Sequence, residues 1–251
     1  MKISIITVCF NSELTLEAML QSIASQGWRD FEHIVVDGGS TDGTLALIAG
    51  WTAHPIRLVS GPDRGIYDAM NKGAAIATGE AIGFLNADDR YADPGCLGAI
   101  AAAFADPAVD FVHGDLVFVR PADRALLRYW KGAPFRRRQL RFGLLPGHPT
   151  LYVGRAAFQA TGPLSLDYGT AGDVEWMIRL LARPGLRSVY LPRVLVEMNA
   201  GGASNAGWTS YLRASRHVWR ACVDLGLSPA AFVIGKTLSK LPQWWRRRAA
   251  S

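Results

Sequence analysis

The chain has 251 residues, of which 49% are hydrophobic and 19% charged, and it carries a formal net charge of +6 at pH 7. This is a globular composition, long enough to bury a sizeable core in one large α/β domain or in a domain with a tail. Three cysteines without metal-ligand spacing, Cys9, Cys96 and Cys222, argue against a structural zinc site and indicate a reduced compartment.

The first residues run directly into an apolar segment, 3–8, which is too short and too early for the apolar region of a signal peptide. It fits a first β-strand instead. No apolar run approaches the roughly 20 residues that a membrane-spanning helix needs. We therefore expect a cytoplasmic protein that does not span a membrane.

Strand-like and helix-like segments then alternate along the first half of the chain. The predicted strands are 2–9, 33–36, 56–60, 81–85 and 111–119. The predicted helices run from a cap at Asn11 or Ser12 to Gly27, begin after Thr44, cover 66–77 and follow Pro94. This alternation predicts an α/β fold with a mostly parallel sheet flanked by helices.

The alternation fades beyond residue 120. Residues 120–149 are basic and rich in Gly and Pro, which marks a functional loop or lid more often than a plain connection. A final helical region follows Gly207 and becomes amphipathic and basic from Phe232 onward. Such a helix indicates contact with an anionic membrane surface, where the arginine cluster 136–138 would meet a lipid-linked acceptor. The alternative is a helix packed on the domain.

Two adjacent carboxylates, Asp88 and Asp89, follow the apolar strand that ends near Leu85. The carboxyl ends of strands border the ligand crevice in an open α/β sheet, and hard divalent cations take oxygen ligands there. The same residues also fit a simple turn rich in Asn and Asp. On this segment alone both interpretations stay open.

The second strand ends in Asp37, and two glycines and a helix-capping hydroxyl at Thr44 follow it. Glycine lets a ligand approach the backbone closely, and the carboxylate of Asp37 is suited to accept a hydrogen bond from a base or ribose. The spacing is not the Gly-x-Gly-x-x-Gly fingerprint, which argues against a dehydrogenase-type dinucleotide fold. The alternative is a tight strand-to-helix turn.

Four segments in this order together resemble family 2 glycosyltransferases of the bacterial cell-surface polysaccharide type. They are Thr7-Val8-Cys9-Phe10-Asn11, 37–44, 62–73 and 85–89. The resemblance continues at 146–150, 171–176 and 201–205, so it covers about residues 1–205. It implies the Rossmann-like GT-A fold, with a C-terminal helical tail beyond it.

The resemblance implies that one set of residues binds a nucleoside-diphosphate-sugar donor. This set is Thr7 and Asn11 at the nucleotide, Asp37 at the base, Asp63, Arg64 and Lys72 beside the nucleotide-sugar, Asn86 and Asp88 near the diphosphate, and His148 on the long loop. A histidine between prolines is equally often structural. Ser204 and Asn205 would form a flexible cover over the sugar-phosphate, with a plain surface loop as the alternative.

The resemblance also implies a divalent cation, Mn²⁺ or Mg²⁺. Asp88 resembles the metal-binding second acid of the Asp-x-Asp motif, with Asp89 beside it and Asn86 where the first acid usually stands. Because a nucleoside diphosphate leaving group develops negative charge, a cation that neutralises it acts as a Lewis acid. The missing first acid makes metal affinity depend heavily on the diphosphate.

Asp173 corresponds to the catalytic base of the family. It precedes an apolar helical run, so we expect it at a helix N-terminus, where an anion is stabilised. Taken alone it would be an ordinary N-cap. Gly172 stands where many relatives carry Glu, so a second acid that helps bind the acceptor must come from elsewhere, with Glu175 as the candidate.

These expectations predict an inverting, metal-assisted glycosyltransferase acting on a glycan or lipid-linked saccharide. Residues 1–119 would form the nucleotide-sugar-binding half, 120–205 the acceptor and catalytic half, and 206–251 a basic helical tail, peripheral on the cytoplasmic membrane face. A catalytically silent nucleotide-sugar-binding or scaffold protein is the alternative. A nucleic-acid partner is not expected, because it would explain neither the ordered acids nor the glycine loops.

Overall fold

The computed structural model describes residues 1–200 and 207–239, which form a nine-stranded sheet with helices on both faces. The strands are β1 (Ile3–Cys9), β2 (Phe31–Asp37), β3 (Ile56–Ser60), β4 (Ala81–Phe84), β5 (Asp89–Tyr91), β6 (Phe111–Val119), β7 (Leu126–Trp130), β8 (Tyr152–Gly154) and β9 (Ser188–Asn199). Their order is β3-β2-β1-β4-β8-β6-β9-β5, and β7 pairs with β6. Strands β1 to β4 are parallel, whereas β8 runs antiparallel to both β4 and β6.

The helices follow the strands in the first half, which confirms the predicted α/β fold class. They are α1 (Leu16–Ala24), α2 (Thr44–Ala49), α3 (Ile66–Ile76), α4 (Cys96–Ala103), α5 (Arg155–Thr161), α6 (Gly172–Ala182), α7 (Gly207–Asp224) and α8 (Pro229–Leu238). The strands predicted at 56–60 and 111–119 are confirmed at those bounds, as β3 and β6.

Strand β1 is buried along its whole length. Ile3 and Ile5 face the core layer under α1 and α4, whereas Ile6 and Val8 face the layer under α3 and α6. Side chains alternate between the two faces of a strand, so a strand that is apolar on both faces lies between two helical layers. The polar residues that follow β1 therefore lie where the parallel strands end, among the loops that connect these strands to the helices.

The start of α1 differs from the expected cap at Asn11 or Ser12. The helix begins at Leu16, and the Ser12 carbonyl accepts the N–H groups of both Thr15 and Leu16. Asn11 adopts a positive φ of 49°, and its side-chain oxygen accepts the Thr41 N–H at 2.9 Å. Asn11 therefore links the loop after β1 to the loop after β2. This is a tertiary contact, which a helix-capping pattern in the sequence cannot predict.

The segment 120–149 is not one long loop. It contains β7, which forms a hairpin with β6, and a 3₁₀ helix at Arg137–Phe142. Another 3₁₀ turn, His148–Thr150, begins within it and leads into β8. The sequence lacks the period-2 alternation that would have revealed β7, since all five of its residues are only half-buried.

Helices α7 and α8 pack on the rest of the molecule. Val218, Ala221, Cys222 and Phe232 are buried, and three of them belong to the core layer under α6. The part of the predicted basic helix beyond Ser239 lies outside the described residues. Within the described residues, no helix is long and apolar enough to cross a membrane.

A chain of hydrogen bonds runs through the core beside β2. The indole N–H of Trp51 donates to His54 Nδ1 at 3.2 Å, and His54 Nε2 lies 3.0 Å from His33 Nδ1. His33 Nε2 lies 3.0 Å from Thr7 Oγ1. Because an indole nitrogen only donates, each imidazole must accept at Nδ1 and donate at Nε2, so both histidines are neutral. Burial lowers the pKa of His33 to about 3, from an ordinary value of 6.5.

Because His33 is buried and neutral, the free energy of unfolding should depend on pH. The folded pKa of His33 lies below its ordinary value, so the unfolded chain binds more protons between pH 6.5 and about 3, and stability falls as the pH falls through that window. We expect His33 to contribute a slope of about 1.4 kcal/mol per pH unit between pH 6 and 4. Urea unfolding at several pH values measures this slope in the wild type and in His33→Gln, whose slope should be shallower.

Thr7→Val is the control, because it removes a hydrogen bond of the same chain but no titrating group, so it should keep the wild-type slope. An unchanged slope in His33→Gln would contradict the assignment.

Candidate active site

The loops after β1 and β2 are tied together at the carboxyl edge of the sheet. The Asn11 N–H donates to Ser40 Oγ at 2.8 Å, and the Gly38 N–H donates to the Cys9 carbonyl at 2.9 Å. Asn11 itself is exposed at this edge. Two segments that the sequence singled out separately therefore form one surface.

The side chains of Thr7 and Asp37 point inward rather than to this surface. Thr7 is fully buried, with its hydroxyl on His33. The Asp37 carboxylate is also buried and accepts hydrogen bonds from Gly39, Ser40 and Ser60. Burial would raise the pKa of Asp37, but these hydrogen bonds outweigh it and hold the pKa below its ordinary value. The Asp37 carboxylate thus holds the loop after β2 in shape, whereas Thr7 belongs to the buried hydrogen-bond chain, and neither side chain reaches the surface.

Asp63 lies directly over the backbone that leaves β2. A Cβ added to Gly38 would come within 2.6 Å of Asp63 Oδ2, and the Asp63 carboxylate also accepts the Gly65 N–H at 2.8 Å. A larger residue at position 38 would displace the Asp63 carboxylate from this place. The glycine of the second segment and the acid of the third are thus in contact.

Arg64 and Lys72 converge on one carboxylate that the sequence analysis missed. Asp68 on α3 lies 2.9 Å from Arg64 Nη2 and 3.2 Å from Lys72 Nζ. The hydrogen bond from Arg64, with that from Lys72, lowers the pKa of Asp68 to about 2. Each cation is four residues from Asp68, which is the helical spacing at which side chains meet and the signal that could have revealed the pair.

Asp88 and Asp89 line a cavity of about 120 Å³ beside the start of α1, with Leu14 and Asn199 on its other walls. Asp89 is 1% exposed, and neither of its carboxylate oxygens has a hydrogen-bond partner among the described residues. Burial, and next the charge of Asp88, raise the pKa of Asp89 well above its ordinary value. Asp173 is not among the residues that line this cavity.

These two acids fit a divalent cation. Oxygen ligands from carboxylates suit Mg²⁺ and Mn²⁺, and a cation would compensate a buried carboxylate that no donor satisfies. The described residues contain no cluster of three or more His, Cys, Asp or Glu side chains arranged to hold a metal. A cation here would therefore need further oxygen ligands from a bound phosphate or from water.

Asp173 lies in the first turn of α6, as expected, and it is held from α3. The hydroxyl of Tyr67 donates to Asp173 Oδ1 at 3.0 Å. Burial and then the nearby carboxylate raise the pKa of Tyr67, so its hydroxyl remains a donor. A Cβ on Gly172 would lie 2.7 Å from the Tyr67 ring. The Tyr67 ring and the Ser165 carbonyl, which that Cβ would approach to 2.8 Å, thus leave no room for a glutamate at position 172.

His148 closes the same corner of the site. Its ring stacks on Phe84, the last residue of β4, with a centroid distance of 5.5 Å. Burial lowers the pKa of His148, and the nearby carboxylate of Asp173 opposes that shift. Its Nε2 atom is buried and has no partner among the described residues. Asp173, Tyr67 and His148 are therefore brought together next to the strand that leads to Asp88.

Glu175 does not supply the missing second acid. It is 3% exposed, and its carboxylate pairs with Arg179, whose Nε lies 2.5 Å from Oε1. The same guanidinium donates to the Pro163 carbonyl at 2.6 Å. Glu175 therefore fastens α6 to the end of α5 and does not face an acceptor. Ser204 and Asn205, the expected cover, lie outside the described residues.

Helix α7 holds the turn that precedes Asp173. The Tyr168 hydroxyl donates to Asp224 Oδ2 at 2.9 Å, and the imidazole of His217 lies against Gly169. Gly169 has a φ of 50°, and a Cβ there would overlap the His217 ring. The C-terminal helices thus contribute to the position of α6.

Sequence comparison identifies proteins to which this chain is similar. Residues 4–159 match the family model described as Glycosyl transferase family 2. A "PGL/p-HBAD biosynthesis glycosyltransferase" of Mycobacterium tuberculosis is 35% identical over 207 residues, which cover 80% of this chain and 78% of the relative. A second M. tuberculosis protein, described as an uncharacterized glycosyltransferase, is 32% identical over 209 residues, which cover 81% of this chain and 77% of the relative.

Two solved structures share the fold at low identity. TarS 1–349 of S. aureus in complex with UDP-GlcNAc overlaps with a TM-score of 0.69 and 19% identity, covering 100% of this chain and 73% of that one. A mannosyltransferase from Pyrobaculum calidifontis in complex with GDP-Man and Mn²⁺ overlaps with a TM-score of 0.67 and 21% identity, covering 99% of this chain and 74% of that one.

The contact between Gly172 and Tyr67 predicts a cost for a single methyl group. Gly172→Ala should lower the free energy of unfolding by ~1–3 kcal/mol, although helix propensity alone favours alanine. Urea unfolding measures the change. Gly98→Ala in α4 is the matched control, because a Cβ there meets nothing within 4 Å, and it should be neutral or stabilising by up to ~1 kcal/mol. Equal stability of Gly172→Ala and the wild type would contradict the packing.

Proposed function

This chain belongs to glycosyltransferase family 2 and has the GT-A fold, and from that premise we propose that it moves a hexose-type sugar, with inversion, from a nucleoside diphosphate to a glycan or lipid-linked saccharide. One contact carries the proposal. The Tyr67 hydroxyl on Asp173 joins α3, which follows the donor segment at 62–65, to the helix that begins with the base. In this proposal, that contact would hold the donor site and the acceptor site side by side.

The donor would lie across the loops after β1, β2 and β3. We assign its nucleotide to the exposed edge around Asn11 and the backbone beside Asp37. The Arg64 side chain is 77% exposed even while it pairs with Asp68, so it is available to a diphosphate. Lys72 holds the loop through the Pro62 carbonyl at 2.9 Å. Asp63 remains the acid beside the nucleotide-sugar. The solved complexes with UDP-GlcNAc and with GDP-Man support a donor of this class.

Asp88 and Asp89 would hold Mn²⁺ or Mg²⁺ in this proposal. When bound, the cation supplies charge neutralisation to the leaving diphosphate. Support comes from the unsatisfied carboxylate of Asp89 and from the Mn²⁺ in the mannosyltransferase complex. Asn86, whose side-chain oxygen is buried without a partner, would turn toward the same diphosphate.

Asp173 would remove the proton from the acceptor hydroxyl as the new bond forms. Tyr67 occupies Oδ1, so Oδ2 is the oxygen that would take this proton. Direct attack by the acceptor with a single base inverts the configuration at the sugar carbon. His148, with its buried unpaired Nε2 next to Asp173, would donate or accept a hydrogen bond at the diphosphate or acceptor.

Replacing the base separates binding from chemistry. Asp173→Asn should keep donor binding and lower the rate of transfer by ~10²–10⁴-fold, because the amide cannot accept the proton. A panel of UDP- and GDP-sugars with candidate acceptors, followed by mass spectrometry, measures transfer. Asp167→Asn, an exposed aspartate in the preceding turn, is the control and should turn over normally. Wild-type turnover by Asp173→Asn would overturn the role, and binding without turnover by the wild type would favour the silent scaffold.

Replacing Asp88, the proposed cation ligand, should weaken nucleotide binding. Asp88→Ala should weaken binding of UDP or GDP at least tenfold in Mn²⁺ and leave it unchanged in EDTA, since the carboxylate acts only through the cation. Isothermal titration calorimetry measures both conditions. Asp106→Ala removes an aspartate 50% exposed elsewhere and is the control. An equal loss with and without Mn²⁺ would assign Asp88 a structural role.

A further inference from the structure

Positive charge in this chain is concentrated in two segments. Residues 125–149 and 225–251 hold eleven of the 27 Lys and Arg residues and none of the 21 Asp and Glu residues. The rest of the chain therefore carries a net charge of −5, although the whole chain carries +6. Such segregation indicates an anionic partner for one face of the molecule.

The described parts of these two segments, 125–149 and 225–239, meet in the structure. The 3₁₀ helix Arg137–Phe142 ends at Gly143, whose φ is 62° and whose added Cβ would lie 2.6 Å from the Phe232 carbonyl of α8. Phe232 is fully buried, and Gly235 lies against Phe142. Two stretches about 100 residues apart in the chain thus form one continuous surface.

Apolar side chains are exposed on this surface beside the arginines. Phe142 is 52% exposed, and Ile234 and Leu238, one helical turn apart on α8, are 58% and 56% exposed. The guanidinium groups of Arg137, Arg138 and Arg141 are exposed and have no ion-pair partner in the described parts of the chain. We call these six residues the basic docking surface.

We propose that the basic docking surface binds an anionic lipid bilayer. Unpaired arginines attract the negative headgroups, and exposed aliphatic and aromatic side chains gain free energy by entering the interface. Folded nucleic acid would use the arginines but would leave Ile234 and Leu238 in water. This inference deepens the proposed function, because a lipid-linked acceptor lies at such a surface. Helix α7, which packs between α8 and the turn before Asp173, would connect the membrane contact to the catalytic corner.

Vesicle flotation of the full chain tests the inference without any turnover. Vesicles of phosphatidylcholine alone are compared with vesicles that also contain phosphatidylglycerol. The wild type should float only with the anionic vesicles. The variant Arg137→Gln/Arg138→Gln/Leu238→Gln should bind them at least tenfold more weakly, since each lost basic residue weakens binding several-fold.

The matched control removes the same kinds of side chain from the opposite end of the sheet. Arg29→Gln/Arg57→Gln/Leu58→Gln, all exposed, should float like the wild type. A second variant, Arg136→Gln/Arg141→Gln, tests the charges alone, and the thermal unfolding of every variant checks its fold.

The inference is overturned if the wild type does not float, if the first variant and the wild type float equally, or if the control variant loses as much vesicle binding as the first variant. Oligonucleotide binding without flotation would assign the surface to another polyanion. Because nucleotide titration is independent of flotation, failure here leaves the proposed transfer reaction separately measurable.

Discussion

The burial of β1 on both faces is the constraint on which the rest of the molecule depends. All seven of its residues are buried, with alternate side chains in opposite core layers. A strand buried between two helical layers leaves the core only at its ends. Strands β2 and β4 pair with β1 in parallel, so their carboxyl ends lie beside its carboxyl end. The loops after these strands therefore open on the same edge. The polar residues of that edge are close to one another because apolar residues elsewhere fill the core.

A second constraint joins the two halves of the site. The corner around Asp173 is built from α6 and from the turn at 168–171, which follow β1 to β4 in the chain. Tyr67 bridges the gap, because its ring fills the space left by Gly172 and its hydroxyl reaches Asp173. From the other side, Asp224 and His217 of α7 support the same turn. The position of Asp173 is thus set by helices that precede it in the chain and by helices that follow it.

The sequence predicted the first half of the fold and the position of Asp173 well, and it predicted the roles of buried polar groups less well. Strands that alternate with helices are determined by local periodicity, so β3 and β6 were found at their bounds. Strand β7 and the start of α1 depend on tertiary contacts, which periodicity does not record. Glu175 was a candidate for the acceptor site from its place in the chain alone. Its pairing with Arg179, four residues later on α6, has the helical spacing at which side chains meet, so the ion pair could have been predicted from the sequence. The further contact of Arg179 with the Pro163 carbonyl depends on the fold and could not.

The packing of Tyr67 on Gly172 also constrains the start of α6. Positions 67 and 172 are 105 residues apart in the chain, yet one side chain occupies the volume that the other would need. A Cβ at position 172 would also lie 2.8 Å from the Ser165 carbonyl, so a smaller residue at position 67 would not by itself make room for a side chain there. The first turn of α6 therefore lies against both α3 and the backbone at Ser165, and any residue larger than glycine at position 172 would have to displace that turn. The absence of a side chain at position 172 is what lets a phenol from α3 reach the aspartate that follows it.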